Sequence, residues 1–148
     1  MTEITAVLKN RFDAIEKRII LVLNQLDDQQ VNWRPNESSN SITNLIVHIS
    51  GNINERIGMA MNNKPFSRDR DKEFETQFKT KAELIELTHT SFGEVQTALT
   101  GNREQSNLEI FIQSATHFSE HMGQILYIAK ILKDEDYITT SVPKKKSL

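Results

Sequence analysis

Long stretches in which apolar residues recur every three to four positions, almost unbroken by glycine or proline, set the strongest limit on how this chain folds. That spacing gathers the apolar side chains onto one stripe of a helix. Helix-ending residues are scarce, with five glycines and three prolines in 148 residues, and they fall mostly between the periodic stretches. Four helices follow. The first runs from about Glu3 to Leu26, with Ile4, Val7, Leu8, Phe12, Ile15, Ile19, Val22, Leu23 and Leu26 on its stripe. The second runs from about Ser41 to Asn62 on Ile42, Leu45, Ile46, Ile49, Ile53 and Ile57. The third opens at the capping box Thr80-Lys81-Ala82-Glu83 and ends near Gly101. A second such box, Ser106-Asn107-Leu108-Glu109, is expected to open the fourth, which reaches about Lys133. No stretch alternates as a strand does, so the expected fold is an all-α four-helix bundle.

Two connectors interrupt the pattern. In Val31 to Asn40, Pro35 restricts itself and Arg34, so the piece is extended. It holds Trp33, the single tryptophan, which is expected to be largely buried at one end of the core. The linker over 63–79 carries Arg68-Asp69-Arg70-Asp71-Lys72-Glu73-Phe74-Glu75. It reads as too polar for the core, and its length makes it a candidate functional lid. The bundle is expected to be one domain over residues 1–136. Residues 137–148, which include Lys144, Lys145 and Lys146, read as a flexible, solvated basic tail.

Composition narrows the function. The net charge is −2, which lacks the concentrated basic surface that phosphate binding requires, so nucleic acid is not an expected partner. No run of about 18 apolar residues occurs, so no membrane span is expected. The start of the chain lacks the basic flank and apolar run of a signal peptide. The chain has no cysteine, which excludes disulfides, thiolate metal ligands and a Cys nucleophile, and fits a cytoplasmic protein.

Histidine carries the chemistry. Of His48, His89, His117 and His121, the last two stand four residues apart in Thr116-His117-Phe118-Ser119-Glu120-His121. Residues at that spacing stack on one helix face, where two imidazoles can hold one ion. At 100° per residue the pair sits on a partly apolar shoulder beside the stripe of the fourth helix, and His48 sits on a matching shoulder of the second. Two such shoulders can face each other and put three nitrogens around one divalent transition metal. Zinc or nickel suits them best, with iron or manganese as alternatives. His89 has no partner at helical spacing and reads as a surface residue. Asn52, one turn after His48, and Arg56, a turn further, are candidate pocket residues.

These features resemble the DinB-like superfamily. The carriers are Asn44-Leu45-Ile46-Val47-His48-Ile49 in the second helix, His117 and His121 followed by Gly123-Gln124-Ile125 in the fourth, and the Trp33-Arg34-Pro35 connector. The match covers nearly the whole chain in order and spacing. It implies an up-up-down-down-like bundle, a homodimer, and a metal on His48, His117 and His121. It further implies activation of a low-molecular-weight thiol for attack on an electrophile, with the stretch Arg68 to Glu75 marking a poorly characterised branch. With no cysteine in the chain, any thiol comes from outside it. The residues by themselves leave two other classes open, a metal-dependent hydrolase and a metal- or ligand-binding helical dimer without turnover.

Overall fold

A computed structural model describes residues 1–134. The expected tail over 137–148 lies outside the described residues. Helix α1 spans Glu3–Leu23, and the one-turn helix α2 spans Asp28–Val31. Helix α3 spans Ile42–Ile53 and continues through a π-helical segment, Asn54–Met59, into the short α4, Ala60–Asn62. Helix α5 spans Lys81–Thr100 and α6 spans Leu108–Lys133. Among the described residues no strand occurs and no helix is long and apolar enough to cross a membrane. The all-α four-helix bundle expected from periodicity is the fold observed.

Local chemistry sets the boundaries. Thr80 caps α5 through the expected box with Glu83, and Ser41 with Asn44 forms another at the start of α3. The box expected at Ser106 does not form: a 3-10 turn, Arg103–Ser106, comes first, and Asn107 caps α6 without a side-chain bond. The reason lies in Glu104, which is buried and accepts a hydrogen bond from Thr5 at the start of α1. The turn is committed to that tertiary contact. Asn63 adopts a left-handed conformation that lets the Lys64 N–H reach back to Gly58 O, which ends the α3–α4 segment.

Side-chain pairs fix the helix directions. Thr5 meets Glu104, and Phe12 packs edge-on against Phe111 and Phe118, so α1 and α6 run parallel. Gln96 donates to Asp13 and His89 faces Glu16, so α5 opposes α1. Ser50 bonds Ser91 and Asn62 bonds Glu94, so α3 parallels α5. His48 meets His117, while Leu45 shares a cleft with Gln124 and Tyr127, so α3 opposes α6. Both α1 and α3 pack on α5 and on α6, which places α1 and α3 across one diagonal. The chain order is therefore up, down, down, up, rather than up-up-down-down. Parallel α3 and α5 oblige their connection to travel back along the bundle, which accounts for the length of the 63–80 segment.

The core holds Phe12, Ile15 and Ile19 of α1, Ile53 of α3, Leu84 of α5 and Phe111 and Phe118 of α6 fully buried, together with Phe92, which lies outside the stripe expected for α5. The edge-to-face ring pairs joining Phe12, Phe111, Phe118 and Phe92 each contribute roughly 0.5–1.5 kcal/mol beyond area burial. Ile4 and Val7 depart from expectation and are exposed, because the face of α1 that meets its neighbours there runs through Thr5, Leu8 and Phe12. Trp33 is only half-buried. It lines an open cleft of about 440 Å³ with Leu45, Gln124, Tyr127 and Ile128 instead of closing the core.

Candidate metal centre

His48 projects from the middle of α3, and His117 and His121 from the middle of α6. Because the two helices are antiparallel neighbours, the shoulders meet. His48 Nε2 lies 2.9 Å from His117 Nε2. One ligand nitrogen from each of the three rings falls within 4.8 Å of the others. In a tetrahedral site with bonds of 2.0–2.1 Å, such nitrogens stand about 3.3–3.4 Å apart. The His48–His117 pair is slightly closer than that figure, so a small adjustment of the rings would let them surround one ion.

Each ring has a defined outer partner. His48 Nδ1 lies 2.9 Å from Glu73 Oε1; a carboxylate only accepts, so Nδ1 carries the proton and Nε2 the lone pair. His121 Nδ1 donates to Gln124 Oε1 at 2.7 Å. This leaves His121 Nε2 as an acceptor, and that atom is buried with no hydrogen-bond partner. A buried nitrogen lone pair without a donor is unfavourable unless something electron-poor occupies the space beside it. The donor set therefore fits a divalent transition metal.

Burial favours the neutral form of two of the rings. It pushes the His48 pKa below the ordinary histidine value; the bond to Glu73 opposes this, and the nearness of His121 and Arg68 reinforces it. His117 is also lowered, first by burial and then by His121 and His48. Neutral imidazoles are the form that binds metal.

The 63–80 crossover supplies the residues that sequence reasoning missed. Far from being too polar for the core, it places Glu73 at 4% exposure against α3. Arg68 sends Nε to Glu73 Oε2 at 2.9 Å and Nη2 to Oε1 at 3.0 Å. A third Arg68 bond, 3.2 Å, reaches Glu55. Phe74 lies against the His48 ring, with centroids 4.9 Å apart. Asn44, fully buried, donates to the carbonyls of Glu73 and Glu75 and so ties the crossover to α3. Arg34 in the first connector holds Phe74 O and Thr76. The alternating charges of this segment resemble any solvated loop; only its unusual length hinted at a role.

Of the other candidates, Asn52 is half-buried one turn from His48, and its Oδ1 is buried without a partner. Arg56 lies half-buried in the π-helical segment, and no hydrogen bond or ion pair joins it to the histidines. His89 is exposed beside Glu16 and takes no part.

Comparison with known proteins gives a family and supports the fold. Residues 2–146 match the family model described as "Protein of unknown function (DUF1572)". The chain belongs to that family. A crystal structure described as that of the conserved protein of locus from Enterococcus faecalis is similar, with a TM-score of 0.76 at 13% identity. The match covers 91% of this chain and 100% of that one, and at this identity it speaks for the fold alone. No curated protein matches the chain.

Proposed function

We propose that this DUF1572 protein is a DinB-like, divalent-metal-binding transferase that activates a low-molecular-weight thiol for attack on an electrophile. One observation carries the reading: three imidazoles from two helices converge, and the His121 nitrogen among them is buried with no other partner. Three protein nitrogens leave room for a further ligand, as catalytic rather than structural sites do. A divalent ion held there lowers the pKa of a bound thiol or water and so supplies a nucleophile near neutral pH.

The chain's own residues do the rest. His48, His117 and His121 bring no charge to the ion, and Arg68 balances Glu73, so an anionic sulfur is favoured beside it. The thiol gives its proton to solvent. Its sulfur then forms the new bond to the electrophilic carbon, whose leaving group departs with the bonding pair. The cleft lined by Trp33, Pro35, Leu45, Tyr127 and Ile128 also has Gln124, the partner of His121, in its wall and has no charged side chain. It suits an apolar, uncharged electrophile. Such thiols are kept reduced in the cytoplasm, which is where this reading puts the protein. It also makes the protein a homodimer. Exposed Ile4 and Val7 on α1 and Leu108 and Ile112 on α6, at the same end of adjacent helices, supply apolar surface for a second copy.

Elemental analysis of untagged protein tests the metal, and a panel of thiols and electrophiles with zinc- or nickel-loaded protein tests the transfer. The expected result is one ion per chain and thioether product only when a thiol is present. Protein that neither retains nor takes up zinc or nickel overturns the metal reading. A stoichiometric ion with no thiol turnover overturns the transferase reading and leaves a binding protein; ester cleavage without thiol would make it a hydrolase.

A further inference from the structure

Gly51 sits inside α3, where glycine costs about 1 kcal/mol relative to alanine. Its backbone is ordinary helix, since no glycine among the described residues has positive φ. Space rather than conformation explains it. A Cβ at this position would collide with Glu73 Oε2 and stand 3.0 Å from Glu73 Cδ and 3.1 Å from Arg68 Nε. The bare helix surface at Gly51 is therefore the seat of the Glu73–Arg68 pair. It lies three residues after His48, on the side from which Glu73 reaches the ring.

We infer that Glu73, clamped by Arg68 and seated on Gly51, is the positioning residue of the metal centre, holding His48 as its Nδ1–H tautomer with Nε2 turned toward the ion. This rests on the metal-binding reading above. Glu73 is nearly fully buried and bonded on both oxygens, so its place is set before any ion arrives. The carboxylate accepts from the outer nitrogen of His48, fixes the ring's rotation and makes the inner nitrogen a better donor. Because Arg68 and Glu73 belong to the crossover, that segment is part of the centre's frame rather than a lid passing over it. Glu73 touches neither the ion's position nor substrate, so it acts only through His48.

The test is zinc titration, in competition with a chromophoric chelator, of the full-length protein and its Glu73→Gln, Gly51→Ala and double variants. Glutamine places an NH2 where Arg68 or His48 needs an acceptor; alanine at 51 displaces the carboxylate without altering any group that bonds the histidines. Each single variant should bind one zinc about 10- to 100-fold more weakly, with helix content unchanged by circular dichroism. The double variant should be no more than about threefold weaker than the worse single one, because both act through the same contact. Nitrogen-15 spectra of the metal-free histidines give a readout free of zinc. Wild-type His48 should carry its proton on Nδ1, and both variants should show mixed tautomers. Wild-type protein that takes no zinc would sink the metal reading while the tautomers still decide this inference. Zinc affinity within twofold of wild type in both single variants, additive losses in the double, or an unchanged His48 tautomer would each overturn it. If a variant loses its helix content, the other single variant and the wild-type tautomer decide the question.

Discussion

If His48, His117 and His121 hold a metal as proposed, their places on two helices make substitutions at the three differ. Replacing His117 or His121 with alanine should abolish stoichiometric zinc binding, measured by equilibrium dialysis, while circular dichroism stays unchanged. Neither ring belongs to the buried apolar stripe of α6. His48→Ala should weaken binding strongly without removing every contact, because it leaves two nitrogens on one helix. Retention of a tight ion by the His117→Ala, His121→Ala double variant would place the metal elsewhere.

The same rings set a pH dependence in the metal-free protein. Burial lowers the folded-state pKa values of His48 and His117, whereas the unfolded chain holds them near the ordinary value of about 6.5. The unfolded state therefore binds more protons in the window below that value, and stability rises with pH there. This contribution is full above about 6.5 and is lost as pH falls toward the folded-state values. Urea midpoints of metal-free protein should fall on acidification through this window, and less steeply in His48→Ala. A midpoint that rises on acidification would contradict the burial of these rings.

At the scale of elements, the crossover between α3 and α5 is held by polar bonds rather than apolar contacts. Asn44 is fully buried; it takes Ser41 N–H as part of a cap and gives its own N–H groups to two crossover carbonyls. Asn44→Ala should cost about 2–4 kcal/mol, from buried groups left unpaired and a lost cap. The measurement is the urea midpoint at unchanged slope. A cost below about 0.5 kcal/mol, the range of ordinary surface substitutions, would mean that the crossover is held elsewhere. Periodicity made α1, α3, α5 and α6 legible because each buries one stripe. The crossover was illegible because Arg68 and Glu73 are buried as a pair. A hydrophobic pattern registers only apolar burial, and the seven charged or polar residues from Ser67 to Glu73 look solvated whether or not two of them are bonded inward.

For the whole molecule, light scattering at micromolar concentration should give the mass of a homodimer, and replacing Val7 and Ile112 with aspartate should shift it to monomer. A single monomeric species in the wild-type protein would remove the dimer from the proposed function. Local sequence determined the four helices, the cap at Thr80 and the pairing of His117 with His121, since i,i+4 spacing within one helix needs no knowledge of the rest of the chain. It also put His48 on the correct shoulder, because the stripe that buries Ile49 and Ile53 dictates where its neighbours point. Only tertiary structure decided that α3 and α6 lie side by side and antiparallel, that Trp33 lines a cleft instead of closing the core, and that Glu73 backs His48. These are contacts between residues far apart in the chain. They depend on which helix faces which, and on the path forced on the crossover by two parallel helices, and no local pattern of residues records either.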